Sequence, residues 1–282
     1  MNRLLINKQC AVVAALVEGN SINSIVRMTG VAKHTILKLL EDVGCAVAAF
    51  HDAHIRNVSA RRIQVDEAWA FCYAKQKNVP QEKQGQFGYG DVWTWAAIDA
   101  DTKLIISYVV GTRGPEAAKT FMDDLAKRVA NRIQLTSDGY RVYERANAFG
   151  CEVDYSMLVK IYGAPLQDDA STRYSPATCI GCRTATLSGD PDPKHVSTSF
   201  VERQNLSMRM GMRRFTRLTN AFSKKIENHG HAVALHFFHY NFIRIHQTLR
   251  VTPAMEAGIT DHVWSFEELI ALLDMKSLTN VA

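Results

Sequence analysis

Ser197-Thr198-Ser199-Phe200-Val201-Glu202-Arg203-Gln204-Asn205 reads as the start of a helix that carries one carboxylate and then a train of cations. Arg209, Arg213, Arg214 and Arg217 follow, then Lys224 and Lys225, and no acid stands between Arg203 and Lys225. Upstream, two aspartates sit in or after strand-like runs. Asp66 lies in Gln64-Val65-Asp66-Glu67-Ala68-Trp69, and Asp138 in Leu135-Thr136-Ser137-Asp138-Gly139-Tyr140. Separate elements can bring three such carboxylates together beside a cationic strip. A metal-dependent enzyme acting on nucleic-acid phosphodiesters needs that arrangement, because the acids hold magnesium while the arginines hold phosphates.

The elements around these acids set the fold class. A strand is expected over residues 62–71 and a loop over 81–90. Strands over 92–98 and 104–110 form a hairpin around Asp99-Ala100-Asp101-Thr102-Lys103. Pro115 opens a helix in which Ala117, Phe121, Leu125 and Val129 recur at helical spacing. A short strand at 133–136 leads to Asp138, a helix covers 140–149, and a strand covers 152–161. Residues 163–194 are rich in turn formers and read as irregular, and helices return over 199–212 and 221–245. This order implies an α/β protein, a mixed sheet flanked by helices.

The N-terminal region has a different pattern. Three short helices are expected between residues 5 and 44, with the turn Thr29-Gly30-Val31 before the third. Two short helices around a glycine turn form the helix-turn-helix pattern, whose second helix enters the DNA major groove. Lys33, His34 and Thr35 open that helix and are the expected DNA contacts. The expected division is therefore a DNA-binding domain over 1–50, a linker over 51–61, a catalytic domain over 62–258 and a helical tail over 259–282.

Bulk composition allows this and excludes other classes. The chain has 282 residues, 47% of them apolar and 22% charged, in the range of an ordinary globular protein with a substantial core. A net charge of +5 leans toward polyanionic partners. Six scattered cysteines do not resemble a disulfide scaffold. The N-terminus lacks the pattern of a signal peptide, and no apolar run approaches the roughly 20 residues of a membrane span. A cytoplasmic protein with no membrane partner is expected.

Spacing alone does not choose between Asp66 and Glu67. Strand alternation points them to opposite faces, so only one is expected to join the site. Cys179-Ile180-Gly181-Cys182 has the spacing of a zinc half-site but no second pair, so no zinc is expected. His236 and His239 fit a packed helix better than a metal site. Trp69, Trp93 and Trp95 read as core, although an aromatic beside an active site can also stack on a base.

The segment 198–205, the stretch Arg213-Arg214-Phe215-Thr216-Arg217-Leu218-Thr219-Asn220-Ala221-Phe222, and Tyr240-Asn241-Phe242-Ile243-Arg244-Ile245-His246-Gln247-Thr248-Leu249 resemble bacterial insertion-sequence transposases. The resemblance is to the group named after insertion sequence one, and it covers roughly residues 60–258. It implies a ribonuclease-H-like fold and selects Asp66, Asp138 and Glu202 as a catalytic Asp-Asp-Glu triad that ligates magnesium, with manganese able to substitute. A basic residue two turns after the glutamate is common in such enzymes, and Arg209 stands there, on the same helix face. Arg203, Asn205, Arg209, Arg213, Arg214 and Arg217 are the expected DNA contacts of this region. The N-terminal zinc ligands that members of the group often carry have no counterpart in residues 1–50.

The implied chemistry is hydrolysis at each transposon end, freeing a 3′-hydroxyl that then attacks a target phosphodiester with no covalent enzyme intermediate. The implied partners are double-stranded DNA, both transposon ends and target, and further copies of the chain, since two ends must meet. Two alternatives stay open: a nuclease of the same fold without strand transfer, and a DNA-binding regulator whose catalytic domain is silent.

Overall fold

The computed structural model describes residues 4–145, 148–150, 152–163, 178–216 and 220–279. Helices α1 (Ile6–Val17), α2 (Ile22–Thr29) and α3 (Lys33–His54) come first. Strands β1 (Arg62–Cys72), β2 (Gly90–Asp99) and β3 (Ile105–Gly111) follow, then α4 (Pro115–Arg128), β4 (Ile133–Asp138), the short α5 (Val142–Arg145), β5 (Val153–Tyr162) and β6 (Cys179–Ser188). The chain continues with α6 (Ser199–Gly211), α7 (Ile226–Phe238), the short α8 (Pro253–Glu256) and α9 (Phe266–Thr279).

Among the described residues the strands form one six-stranded sheet in the order β3-β2-β1-β4-β5-β6. β1, β2 and β3 form an antiparallel meander. β4 joins the other side of β1 in parallel, β5 joins β4 in parallel, and β6 closes the edge antiparallel to β5. This is the expected α/β class. It is a mixed sheet of ribonuclease-H-like order, with β1 and β4, the two strands that carry the aspartates, adjacent at its centre. β6 falls within 163–194, read from the sequence as irregular. It is an exposed edge strand with side chains open to solvent on both faces, so no buried apolar face marks it. Of the helix expected over 140–149, α5 forms a single turn.

β1 alternates two environments. Ile63 and Val65 point into the larger core, with Trp95, Phe121 and Leu125. Ala68 and Ala70 lie in a second core with Val201 and Met208 of α6. Small side chains on this second face let α6 lie close against the sheet.

The N-terminal helices have local causes. The Ser21 hydroxyl accepts from the Ser24 amide at the start of α2, and Gly30 ends that helix in the left-handed conformation, φ 69°. α3 does not stop near Val43, as the sequence suggested. It continues to His54, because Ala46, Val47 and His51 keep a buried stripe going where a connector was expected. The expected boundary at residue 50 is therefore crossed by a helix, whose last four residues, 51–54, fall within the expected linker over 51–61. α3 also touches α7. A Cβ on Gly44 would come within 2.4 Å of the His231 Cβ, so only glycine permits this approach. The expected tail over 259–282 contains α9, whose Leu269 and Ile270 are buried in the same core as α1 and α3.

Candidate functional site

Residues of β1 hold α6 in place. Gln64 is buried, and its Oε1 accepts from the backbone amides of Phe200 and Val201 at 2.8 and 3.2 Å, capping the first turn of α6. Two residues on, and therefore on the same face of β1, Asp66 Oδ2 accepts from Asn205 Nδ2 at 2.7 Å. Glu202 lies on α6 between these two ties. Asn205, expected from the sequence to contact DNA, is buried in the wall of the same cleft and donates to Asp66.

Asp138 is the last residue of β4, one step beyond the pairing of Val65 with Ser137. Its Oδ1 accepts from the Tyr140 amide at 3.0 Å, so the turn that follows the strand fixes the carboxylate. Asp66, Glu67 and Asp138 each bring an oxygen to within 4.8 Å of the others. Both neighbours in the strand thus approach Asp138, which corrects the expectation that alternation would exclude one of them. Glu67 nevertheless differs from Asp66. Its carboxylate belongs to the core face, where it accepts from Arg113 Nη2 at 2.8 Å and from the Tyr143 hydroxyl at 2.8 Å. Arg113 in turn packs its guanidinium over Trp93 and Tyr140, at 4.4 and 4.3 Å from the ring centres.

The electrostatics of the group would favour a bound cation. Burial, followed by the charges of Glu67, Asp138 and Glu202, pushes the Asp66 carboxyl up to about 7. Burial and Asp138 raise Glu67 against the opposing pull of Tyr143 and Arg113, and burial raises Asp138 against the Tyr140 amide. Carboxyl groups crowded in this way are unfavourable as anions unless a cation joins them. An all-oxygen donor set of this kind suits a hard divalent ion.

Glu202 stands outside that close group but faces the same cleft. Both of its oxygens accept from Lys160 Nζ at 2.5 Å, and Thr198 Oγ1 donates to Oε1 at 2.6 Å. Burial opposes the charge on Lys160, yet the bond to Glu202 and its negative charge prevail and raise the lysine's pKa. The cleft encloses about 680 Å³, and Asp66, Asp138, Glu202, Arg113, Lys160 and Arg209 all line it. Three acids and three cations thus share one opening.

The remaining expected contacts are spread more widely. Arg203 and Arg213 are exposed. Arg214 is half-buried and donates to the Ser223 hydroxyl at 3.1 Å, so it supports the fold more than it faces solvent. Arg217 lies outside the described residues. Lys33 and His34 are exposed at the start of α3 and Thr35 is half-buried there. Cys179 and Cys182 are free and exposed on β6. Among the described residues, no helix is long and apolar enough to cross a membrane.

Sequence reading missed Gln64, Arg113 and Lys160. Each left a signal: an amide two residues before Asp66, an arginine just past a strand end, and a lysine that interrupts the apolar run from Met157 to Tyr162.

No family model and no curated protein matches the chain. Among solved structures it is similar to a piggyBac transposase synaptic complex with hairpin DNA, at 12% identity and a TM-score of 0.42, over 96% of this chain and 70% of that one. A Mos1 transposase paired-end complex with the left transposon end aligns at 11% identity and a TM-score of 0.21, over 52% and 57%. A Mos1 strand transfer complex aligns at 11% and 0.24, over 84% and 76%. At such scores the chemistry of the site has to stand on its own residues.

Proposed function

We propose that the chain is a DNA transposase of the Asp-Asp-Glu type, akin to the bacterial insertion-sequence group its motifs resemble. The observation that carries this reading is the shared cleft: Asp66 and Asp138 converge from adjacent central strands, and Glu202 faces them from α6 among Arg113, Lys160 and Arg209. Asp66 and Asp138 are the residues that would hold magnesium or manganese, with Glu202 completing the set once Lys160 releases it. When bound, the ion would supply Lewis-acid stabilisation of charge developing on the phosphoryl oxygens.

The chain's own residues do the rest. Asn205 and Gln64 fix the distance between β1 and α6. Arg113, Lys160 and Arg209 neutralise the scissile phosphate and its neighbours. Water adds to phosphorus as the bond to the 3′-oxygen breaks, leaving a 5′-phosphate and a 3′-hydroxyl. That hydroxyl can then attack a second phosphodiester in the same cleft, forming a new phosphorus–oxygen bond as the bond to the target strand's 3′-oxygen breaks and that oxygen leaves as a 3′-hydroxyl. Positioning and charge stabilisation account for most of the catalysis. α2 and α3 would read the transposon ends through Lys33, His34 and Thr35, while Arg203 and Arg213 hold the backbone. Two ends must meet, so a dimer or larger assembly on DNA is part of this reading, as is a cytoplasmic location.

The test is a supercoiled plasmid carrying the gene's own flanking DNA, incubated with magnesium or manganese and either wild type or Asp138→Ala. Breaks at the flanks, followed by joined products, are expected only with wild type and metal. Cutting without joining would indicate a nuclease. Binding with no cutting would favour a silent DNA-binding protein, a reading to which the Lys160–Glu202 pair gives some support.

A further inference from the structure

A second cleft, of about 470 Å³, lies between the N-terminal helices and the α6–α7 face. Its size is that of a small-molecule site, roughly 300–1,000 Å³. It shares no lining residue with the acidic cleft, yet α6 links them: Arg209 lines one, and Met212, just past the helix end, lines the other. The junction is close-packed. A Cβ on Gly19, in the turn between α1 and α2, would come within 2.6 Å of the Gly211 carbonyl oxygen at the end of α6.

The chemistry of this cleft divides into rim and interior. Lys33, Arg213, Lys224 and Lys225 line it, and no carboxylate does. The interior is mostly apolar, with Leu235 buried and Phe222 half-buried. The Lys224 ammonium lies 3.2 Å from the centre of the Phe222 ring. His236 also lines the cleft, and its buried Nε2 has no hydrogen-bond partner. Cations without balancing acids suit a polyanion. An apolar interior with an aromatic wall and one unpaired polar atom suits the flat face and polar edge of a nucleobase.

We propose that this cleft receives one unpaired nucleobase of the DNA bound at the acidic site, with the flanking phosphates on Lys33, Arg213, Lys224 and Lys225. The inference rests on the DNA-binding reading above. It adds to that reading a base pocket, formed jointly by the N-terminal helices and the sheet domain, that would favour DNA with an extrahelical nucleotide.

The experiment compares binding of the full chain, in EDTA, to a fully paired duplex and to the same duplex with one bulged adenine. Wild type is expected to bind the bulged duplex roughly 5- to 150-fold more tightly, the range that stacking of one base supports. Ala232→Trp, which fills the cleft, should abolish the preference while leaving affinity for the paired duplex unchanged. Phe222→Ala, a milder change, should reduce the preference. The double variant Lys224→Ala, Lys225→Ala should weaken both complexes and flatten their salt dependence. Equal affinity of wild type for the two duplexes, or a preference that survives both Ala232→Trp and Phe222→Ala, would overturn the base pocket alone. Failure to bind either duplex would overturn the DNA reading as well.

Discussion

Asn205 Nδ2 donates to Asp66 Oδ2 at 2.7 Å, joining the helix that bears Glu202 to the central strand across 139 residues of sequence. Asn205 is buried in the wall of the acidic cleft, and its amide sets where Asp66 points. Groups that orient a metal-binding acid in this way typically affect metal affinity or activity by about 10- to 100-fold. Asn205→Ala is expected to lower metal-dependent cleavage by that order while binding to DNA persists. Asn205→Asp should be worse, because it adds an anion beside an already crowded carboxylate. Cleavage rates and manganese titrations on both variants provide the check; unchanged values would reduce Asn205 to a packing residue.

Lys160 occupies both oxygens of Glu202 and so competes with any cation that Glu202 would help to bind. Lys160→Met should cost the metal-free protein about 1 kcal/mol or less, since partly exposed ion pairs contribute little. The same variant should show a larger rise in melting temperature when manganese is added. An unaltered metal-induced shift would mean that the lysine and the ion do not share Glu202.

Asp66 gives stability a pH dependence whose sign can be worked out. Its folded-state pKa of about 7 lies above the ordinary value of 3.8. Between those two values the folded protein retains a proton that the unfolded chain has lost, so metal-free stability falls as pH rises through the window and levels off above about 7. Metal binding requires the ionised carboxylate and should strengthen over the same range. Thermal melts in EDTA from pH 4.5 to 8 are expected to show the decline in wild type and a flatter profile in Asp66→Asn. Identical profiles would mean that Asp66 ionises normally.

Much of this was legible in the sequence. The strands that bear Asp66 and Asp138 place apolar residues at alternate positions, Ile63 and Val65 in one and Ile133 and Leu135 in the other, and the acid-then-arginine pattern at 198–217 marks α6. What could not be read depends on partners distant in the chain. Gln64 acquires a role only when α6 packs across β1, and Lys160 only when β5 brings it beside Glu202. Glu67 looked like a rival to Asp66 because alternation says nothing of Arg113 and Tyr143, which hold it on the core face. The length of α3 was missed because alanine and histidine at 46–54 form a weak periodic signal, and burial against α7 and α9 decides it.

Gly44 tests that packing directly. A methyl carbon added there would stand only 2.4 Å from the His231 Cβ, so Gly44→Ala must separate α3 from α7 or distort one of them. Overpacking of this kind costs about 1–3 kcal/mol. Urea denaturation should register it, and His231→Gly in the same chain should recover part of the loss. An alanine variant as stable as wild type would show that the two helices adjust freely.

The 22 residues of α3 begin at Lys33 and end at His54, between the buried His51 and Ile55. At 1.5 Å per residue that is a rod roughly 33 Å long. One end carries the side chains proposed to read DNA; the other is embedded beside the sheet that presents Asp66. A helix is a poor hinge, so under the proposed function the distance between recognised sequence and cut phosphate would be built into the protein as on a ruler. On this reading the chain would tolerate changes in the sequence between those two points on the DNA far better than changes in its length.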